Sequence, residues 1–376
     1  MNERERYKTT LLFGKPDKIP FSPGHPREST LKRWHKEGLP EDVNWFEYIC
    51  EKIGVKIEKS EKPKIDLYYS FFLNPPFEEK IIEKRNGHLI VQTQKGEIVE
   101  IDERYDFTYL RSAKDFVTRK WHKFPVENFN DWEDMKKRYD SESPERIDTK
   151  IDEKAEILKD RDWVLGISFP GPFWQLRDWC GFENLCIFMA EKEDFVFEMA
   201  NFWKSFVSNI LKKLVSKIQF DYAFIAEDMA YKEKSMISPS MIKKYLMVCW
   251  SEWSNILKKN GCEIVMIDSD GYIGEIIPIW IESGINCTTP VEIAAGNNLI
   301  EFRKKFGKNM AYIGGIDKRK IAKGGDILRK EMDKIIPFLF KDGGYIPSCD
   351  HGVPPDISLE NFIEYCKYLA KYTGWI

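Results

Sequence analysis

The sequence predicts an α/β fold, a TIM-type (β/α)8 barrel running through the whole chain, 1–376. Two observations lead there. Short β-rich apolar runs recur along the chain, and most are followed by a helix-length amphipathic segment, the pattern of parallel strands joined by crossover helices. A single stretch, about 75–160, breaks that rhythm, so it reads as an insertion on one loop of a single domain.

The runs come in order. Ile19–Ser22 is a weak first strand and Lys64–Tyr69 the second. Trp163–Ser168, Asp221–Ala226 and Cys262–Ile267 follow, and Ile285–Thr289, Met310–Ile313 and Gly344–Pro347 complete eight. Between them, Phe195–Lys217 repeats apolar residues at helical spacing (Phe195, Met199, Phe202, Phe206, Ile210, Leu214). Ser240–Lys259 follows Ser238-Pro239, a cap before a proline. Ser358–Tyr372 predicts the closing helix. Inside the insertion, Ile81–Asp102 alternates apolar and polar residues around Asn86-Gly87 and Lys95-Gly96, which predicts an antiparallel meander. Asp131–Tyr139 and Asp148–Lys159 read as exposed charged helices. The insertion is expected to form a lid or wall over the site.

Composition excludes some functions. Lys and Arg number 58 against 61 Asp and Glu, a net charge of −3 with no basic stripe, so nucleic acid is not an expected partner. The charged opening MNERERYKTT does not read as a signal peptide, and no apolar run has the length of a membrane span. A cytoplasmic protein without a membrane partner is expected. The eight cysteines form no CxxC pair and read as reduced thiols.

In such a barrel the chemistry sits where strands end. The first run leads into Ser22-Pro-Gly-His25-Pro-Arg27, and the second carries Tyr69. The third leads into Phe173-Trp174, the fourth into Glu227-Asp228 and the fifth into Asp268-Ser-Asp270-Gly271. The seventh meets Gly314-Gly-Ile-Asp317 and the eighth Cys349-Asp-His351. Asp270, His351, Asp228 and Glu227 are the candidate catalytic residues. Arg27, His25, Tyr69, Phe173, Trp174 and Asp317 are the candidates for holding a small-molecule substrate. Asp268 and Asp270, two apart on extended backbone, point the same way and could bind a divalent ion, with His351 and Cys349 as further ligands. Each has a plainer reading: Asp270-Gly271 as a turn, Asp268 as a helix cap, His351 as a structural histidine, Cys349 as an inert buried thiol.

These segments resemble the uroporphyrinogen decarboxylase superfamily over nearly the whole chain. Arg4-Glu-Arg-Tyr-Lys-Thr-Thr-Leu11 and Lys15-Pro-Asp-Lys-Ile-Pro-Phe21 are similar to that family's opening. Gly314-Gly-Ile-Asp317 resembles its Gly-Asn-x-Asp-Pro turn, and Gly344-Tyr-Ile-Pro-Ser-Cys-Asp-His-Gly-Val-Pro-Pro-Asp356 its closing signature. The resemblance implies a barrel and one of two chemistries. One is cofactor-free decarboxylation of a carboxylate substrate. The other is zinc-dependent methyl transfer between a small methylated substrate and a corrinoid protein. The departures speak against a porphyrinogen substrate and leave the methyltransferase pattern matched only in part. Where the haem-pathway decarboxylases carry Arg-Gln-Ala-Gly-Arg-Tyr, this chain has Ser22-Pro-Gly-His-Pro-Arg-Glu28, with Arg27 as the one arginine. The methyltransferase branch's His-x-Cys falls at Asp268 and Asp270, and its later Cys at or near His351. No Asp-x-His-x-x-Gly corrinoid anchor is present, because Arg33 stands where its Asp belongs before His35-Lys-Glu-Gly38. A corrinoid would therefore arrive on a separate protein. That protein and a second copy of this chain are the macromolecular partners left open. A non-catalytic binding barrel is the reading from another class.

Overall fold

The computed structural model describes residues 1–376 other than 59, 61, 112–114 and 116. Two sheets organise it. Strands β1 (Lys80–Arg85), β2 (His88–Gln92), β3 (Ile98–Asp102) and β4 (Lys120–Lys123) form an antiparallel sheet in sequence order. Strands β5 (Gly166–Pro170), β6 (Tyr222–Ala226), β7 (Ile264–Asp268), β8 (Cys287–Thr289), β9 (Ala311–Ile316) and β10 (Tyr345–Cys349) form a parallel sheet ordered β10-β9-β8-β7-β6-β5. Six of the eight predicted runs are these six strands.

The eight-stranded closed barrel is corrected on its first two members. Ile19–Ser22 and Lys64–Tyr69 form no strand, and the ladder among the described residues stays at six. Pro20, Pro23 and Pro26 lack the N–H groups a ladder needs. Their segment nevertheless lies along the β10 side, where Cys349 N donates to Pro23 O at 3.4 Å, Val353 N to His25 O at 2.8 Å and Arg27 N to Val353 O at 3.1 Å. The second segment flanks the β5 edge through a side chain instead: the Tyr69 hydroxyl accepts from Ser168 N at 3.0 Å.

Alternation along the parallel strands assigns every side chain to one of two faces. Ile264, Met266, Cys287, Ala311 and Ile346 meet Leu11 of the helix Glu3–Leu11, which covers the lower end of one face. The other face carries Ile167, Phe169, Ala223, Ile225, Val265 and Ile267 into the main core beneath the helices. Burial on both faces explains why β7 is an unbroken apolar run.

The meander forms as predicted, with Asn86 and Gly87 both at positive φ (50° and 77°), a two-residue turn joining Arg85 to its partner His88. It carries a small core of its own, with Leu89, Val91, Val99 and Ile101. Its fourth strand, β4, was not legible because Lys120-Trp-His-Lys123 is exposed throughout and has no apolar alternation. The two insertion helices, Phe129–Lys136 and Ile151–Leu158, are not the exposed elements expected: Trp132, Met135 and Leu158 are buried, and the Trp132 ring packs tilted against Trp179 at 4.8 Å. The segment predicted as one helix from Ser240 divides at Leu246 into Pro239–Tyr245 and Met247–Lys259. Among the described residues no helix is long and apolar enough to cross a membrane.

Candidate active site

All six parallel strands end at one rim, and the loops leaving β6, β7 and β10 converge there. The backbone fixes the first pair. Asp268 O, at the end of β7, accepts from both Glu227 N (3.1 Å) and Asp228 N (3.0 Å). That double bond turns the chain sharply after β6 and holds Asp228 at φ 40°, a left-handed conformation rare outside glycine. On the other side, Gly271 (φ 79°) passes so close to the β6 loop that a Cβ there would stand 2.4 Å from Ala230 O. Asp270 is thereby held between two loops.

Three side chains then form a line. His351 Nε2 lies 3.0 Å from Asp270 Oδ2, and Arg27 Nη2 lies 3.2 Å from His351 Nδ1. A guanidinium only donates, so in the neutral ring Nδ1 accepts and the proton sits on Nε2, directed at Asp270. The hydrogen bond to Asp270 raises His351 above the ordinary histidine range, while burial and the charges of Lys318 and Arg27 work against it. Burial pushes Asp270 upward, but the His351 bond and the charges of His351, Lys318 and Arg27 outweigh it and leave the carboxyl low. Asp268 faces the same side as Ile264 and Met266; burial and the charges of Asp270 and Asp228 push it up to about 7. Asp228 is raised by burial and by Asp270. A cavity of about 430 Å³ opens beside Asp270, with Tyr231, Glu292 and Arg319 on its wall.

Other candidates lie elsewhere, mostly because strand alternation turns them away. Glu227 was expected on the cavity wall. It is fully buried on the helix side, where its Oε1 accepts from Phe173 N at 2.6 Å, and burial pushes it up to about 8. Cys349 points away from Asp268, into the core with Tyr365 and Cys366 as neighbours, and burial pushes its thiol up to about 12. Phe173 is also fully buried in that core. Asp317 is buried, caps the helix Lys318–Lys323 and gives both oxygens to Arg319. His25 is exposed, its ring edge-on to Trp45 at 6.0 Å. Tyr69 and Trp174 do line a common cavity.

The four expected zinc ligands do not converge, because Cys349 is turned into the core. Among the described residues, no group of three or more His, Cys, Asp and Glu side chains could hold a metal.

Sequence reading missed the parts that tie the rim together. Asp350 is buried and accepts from Ile293 N (2.9 Å) and Lys318 N (3.0 Å), joining the loops after β8, β9 and β10. Glu292 pairs with Lys318 at 2.8 Å and accepts from Gly271 N at 3.3 Å. Reading past the sixth run, through Thr289-Pro-Val-Glu292, would have found it. Arg177 lies over the Trp174 ring at 5.2 Å and acts electrostatically on Asp228.

No protein-family model matches the chain, and no curated protein matches it, so the superfamily resemblance rests on the motifs quoted above. Among solved structures, a methyltransferase from Methanosarcina mazei superposes with a TM-score of 0.56 at 12% identity, covering 99% of each chain. The two share a fold from end to end. A Listeria monocytogenes protein described as a vitamin-B12-independent methionine synthase covers 60% of this chain and 69% of its own, at 8% identity and a TM-score of 0.33, a likeness too weak to carry an argument.

Proposed function

We propose that this chain is a methyl-transfer enzyme, moving a methyl group from a small methylated substrate to a corrinoid carried by a separate protein. The observation that carries the reading is the Arg27–His351–Asp270 line at the rim, beside Asp268 and Asp228. The whole-length fold likeness to a methyltransferase supports it. So do the sequence motifs, and with them we propose a single domain with the meander as a wall of the site.

The corrinoid supplies the methyl-accepting nucleophile. What this chain supplies is a proton. As the bond between the methyl carbon and its oxygen or nitrogen breaks, the electron pair stays on the heteroatom, which must be protonated to leave. In its charged form His351 carries a second proton on Nδ1 while Nε2 donates to Asp270, and it gives the Nδ1 proton to the heteroatom, returning to the neutral ring that accepts from Arg27. Decarboxylation of a small carboxylate is less well served, because it asks Arg27 to grip the substrate and Arg27 is engaged with His351.

The test is an anaerobic assay with a panel of methylated amines and ethers, free cob(I)alamin serving as acceptor. Loss of its absorbance with a methylated donor, and not with the demethylated product, is expected. Absence of transfer from every donor, with carbon dioxide released from a carboxylate instead, would overturn the reading.

Uroporphyrinogen is expected to give no coproporphyrinogen. Eight carboxylates need paired cations, since a buried unpaired charge costs several kcal/mol. Here Arg27 faces His351, Lys318 faces Glu292 and Arg319 faces Asp317, while Asp270 adds negative charge and Asp228 and Asp268 offer no cation to a carboxylate. Each missing arginine contact forgoes about 1.5–3 kcal/mol. Product analysis after anaerobic incubation decides it.

A further inference from the structure

A second cavity, of about 360 Å³, opens over the end of β5 between the segment after Tyr69, the meander and the helix Pro172–Cys180. Its walls are mostly rings, among them Tyr69, Phe71, Tyr139, Trp174 and Trp179. Flat apolar walls of this kind gain most from a flat ligand, through stacked and edge-to-face contacts. The volume suits a small ring system and is far too small for a tetrapyrrole.

Two polar groups in the cavity have unused capacity. Tyr69 accepts from Ser168 N, which fixes its oxygen, yet its own O–H has no acceptor among the described residues. Gln175 spends its amide nitrogen on the Tyr139 hydroxyl at 3.3 Å, leaving its carbonyl oxygen without a donor among the described residues. Lys95, from the turn between β2 and β3, completes the wall and is paired with Asp178. The strand end on which it sits is level with the rim by register: Pro170 on β5 pairs with Ala226, and Ala226 with Asp268.

We infer that this cavity is a subsite for a planar aromatic ring bearing an oxygen substituent, which accepts from the Tyr69 hydroxyl. The inference rests on the methyl-transfer reading only in calling that ring part of the substrate; binding itself is independent of it. The meander then has a use, because its Lys95 turn closes one side of the ring pocket.

Ligand-observed NMR titrations of the full chain test it, with 4-methylphenol, 4-methylcyclohexanol and toluene as probes. 4-Methylphenol is expected to bind at least about tenfold more tightly than its saturated counterpart. Tyr69→Phe should weaken 4-methylphenol about tenfold and leave toluene unchanged, since only the hydrogen bond is lost. Trp174→Ala should weaken both aromatic probes. Equal affinity for the aromatic and saturated probes, no binding of either, or a Tyr69→Phe effect that is the same for 4-methylphenol and toluene would each overturn the subsite. Turnover of aliphatic methyl donors without aromatic binding would sink the subsite and keep the methyl-transfer reading. Aromatic binding with the predicted Tyr69 dependence, but no methyl transfer from any donor, would do the reverse.

Discussion

Asp270→Asn is expected to lower kcat for methyl transfer by about 100-fold or more, the usual worth of a positioned proton donor. Asparagine keeps an oxygen to accept from His351 Nε2, so the line from Arg27 survives geometrically. What disappears is the negative charge that holds His351 above its ordinary range. The sign of the pH effect follows. If the histidine delivers the proton, activity falls as pH rises through its pKa. In the Asn variant that fall moves to lower pH, because the charged form has lost its partner. Arg27→Met should act in the opposite sense on the profile, since Arg27 opposes the protonation of His351. Rates against pH for the three proteins check both directions. Profiles that superimpose would show that the Asp270–His351 bond plays no part in the proton's delivery.

How far the sequence revealed this site depended on the kind of signal. The parallel strands announced themselves because burial on both faces demands uninterrupted apolar runs such as Ile264-Val-Met-Ile267. The first segment carries a proline, and both make lone contacts in place of a ladder, so nothing in their residues distinguished a strand from an extended edge. Asp270 and His351 could be picked out as ionisable residues after strand ends. Their meeting could not be read, because it depends on loops 81 residues apart in sequence. Arg27, 324 residues from His351, is a clearer case still. The misplaced residues are more instructive. Glu227 and Cys349 were chosen for sitting at strand ends, but each lies an odd number of positions from an inward-facing neighbour, Ala226 and Ile346. Period-two alternation therefore sends both toward the helices. Asp317 was misread because a cap two residues before an arginine looks, in sequence, like any acidic residue at a strand end.

Gly171→Ala is expected to destabilise the protein by about 3 kcal/mol, at the upper end of overpacking costs. Gly171 has an ordinary φ of −72°, so the backbone itself would tolerate a side chain. The obstacle is Glu227, whose Oε2 would lie 1.1 Å from the added Cβ. The buried carboxyl can retreat only by giving up its bond from Phe173 N at the start of the helix Pro172–Cys180. The same alanine placed in a Glu227→Ala background should therefore cost much less, and urea unfolding of the four proteins measures the coupling. An equal cost in both backgrounds would mean that something other than the carboxyl excludes the methyl group. Glu227 also sets a pH dependence. Its folded pKa, pushed up to about 8 from an ordinary 4.5, means the folded state keeps a proton that the unfolded chain releases. This contribution to stability is complete below the unfolded value and is lost as pH rises toward about 8, by up to about 1.4 kcal/mol per pH unit. Glu227→Gln, which cannot ionise and keeps an oxygen for Phe173 N, should remove that slope and leave the protein more stable than its parent at alkaline pH. Thermal unfolding from about pH 5 to about pH 9 reads both curves. Parallel curves would show that Glu227 ionises without cost and that burial beneath the helix does not hold its proton.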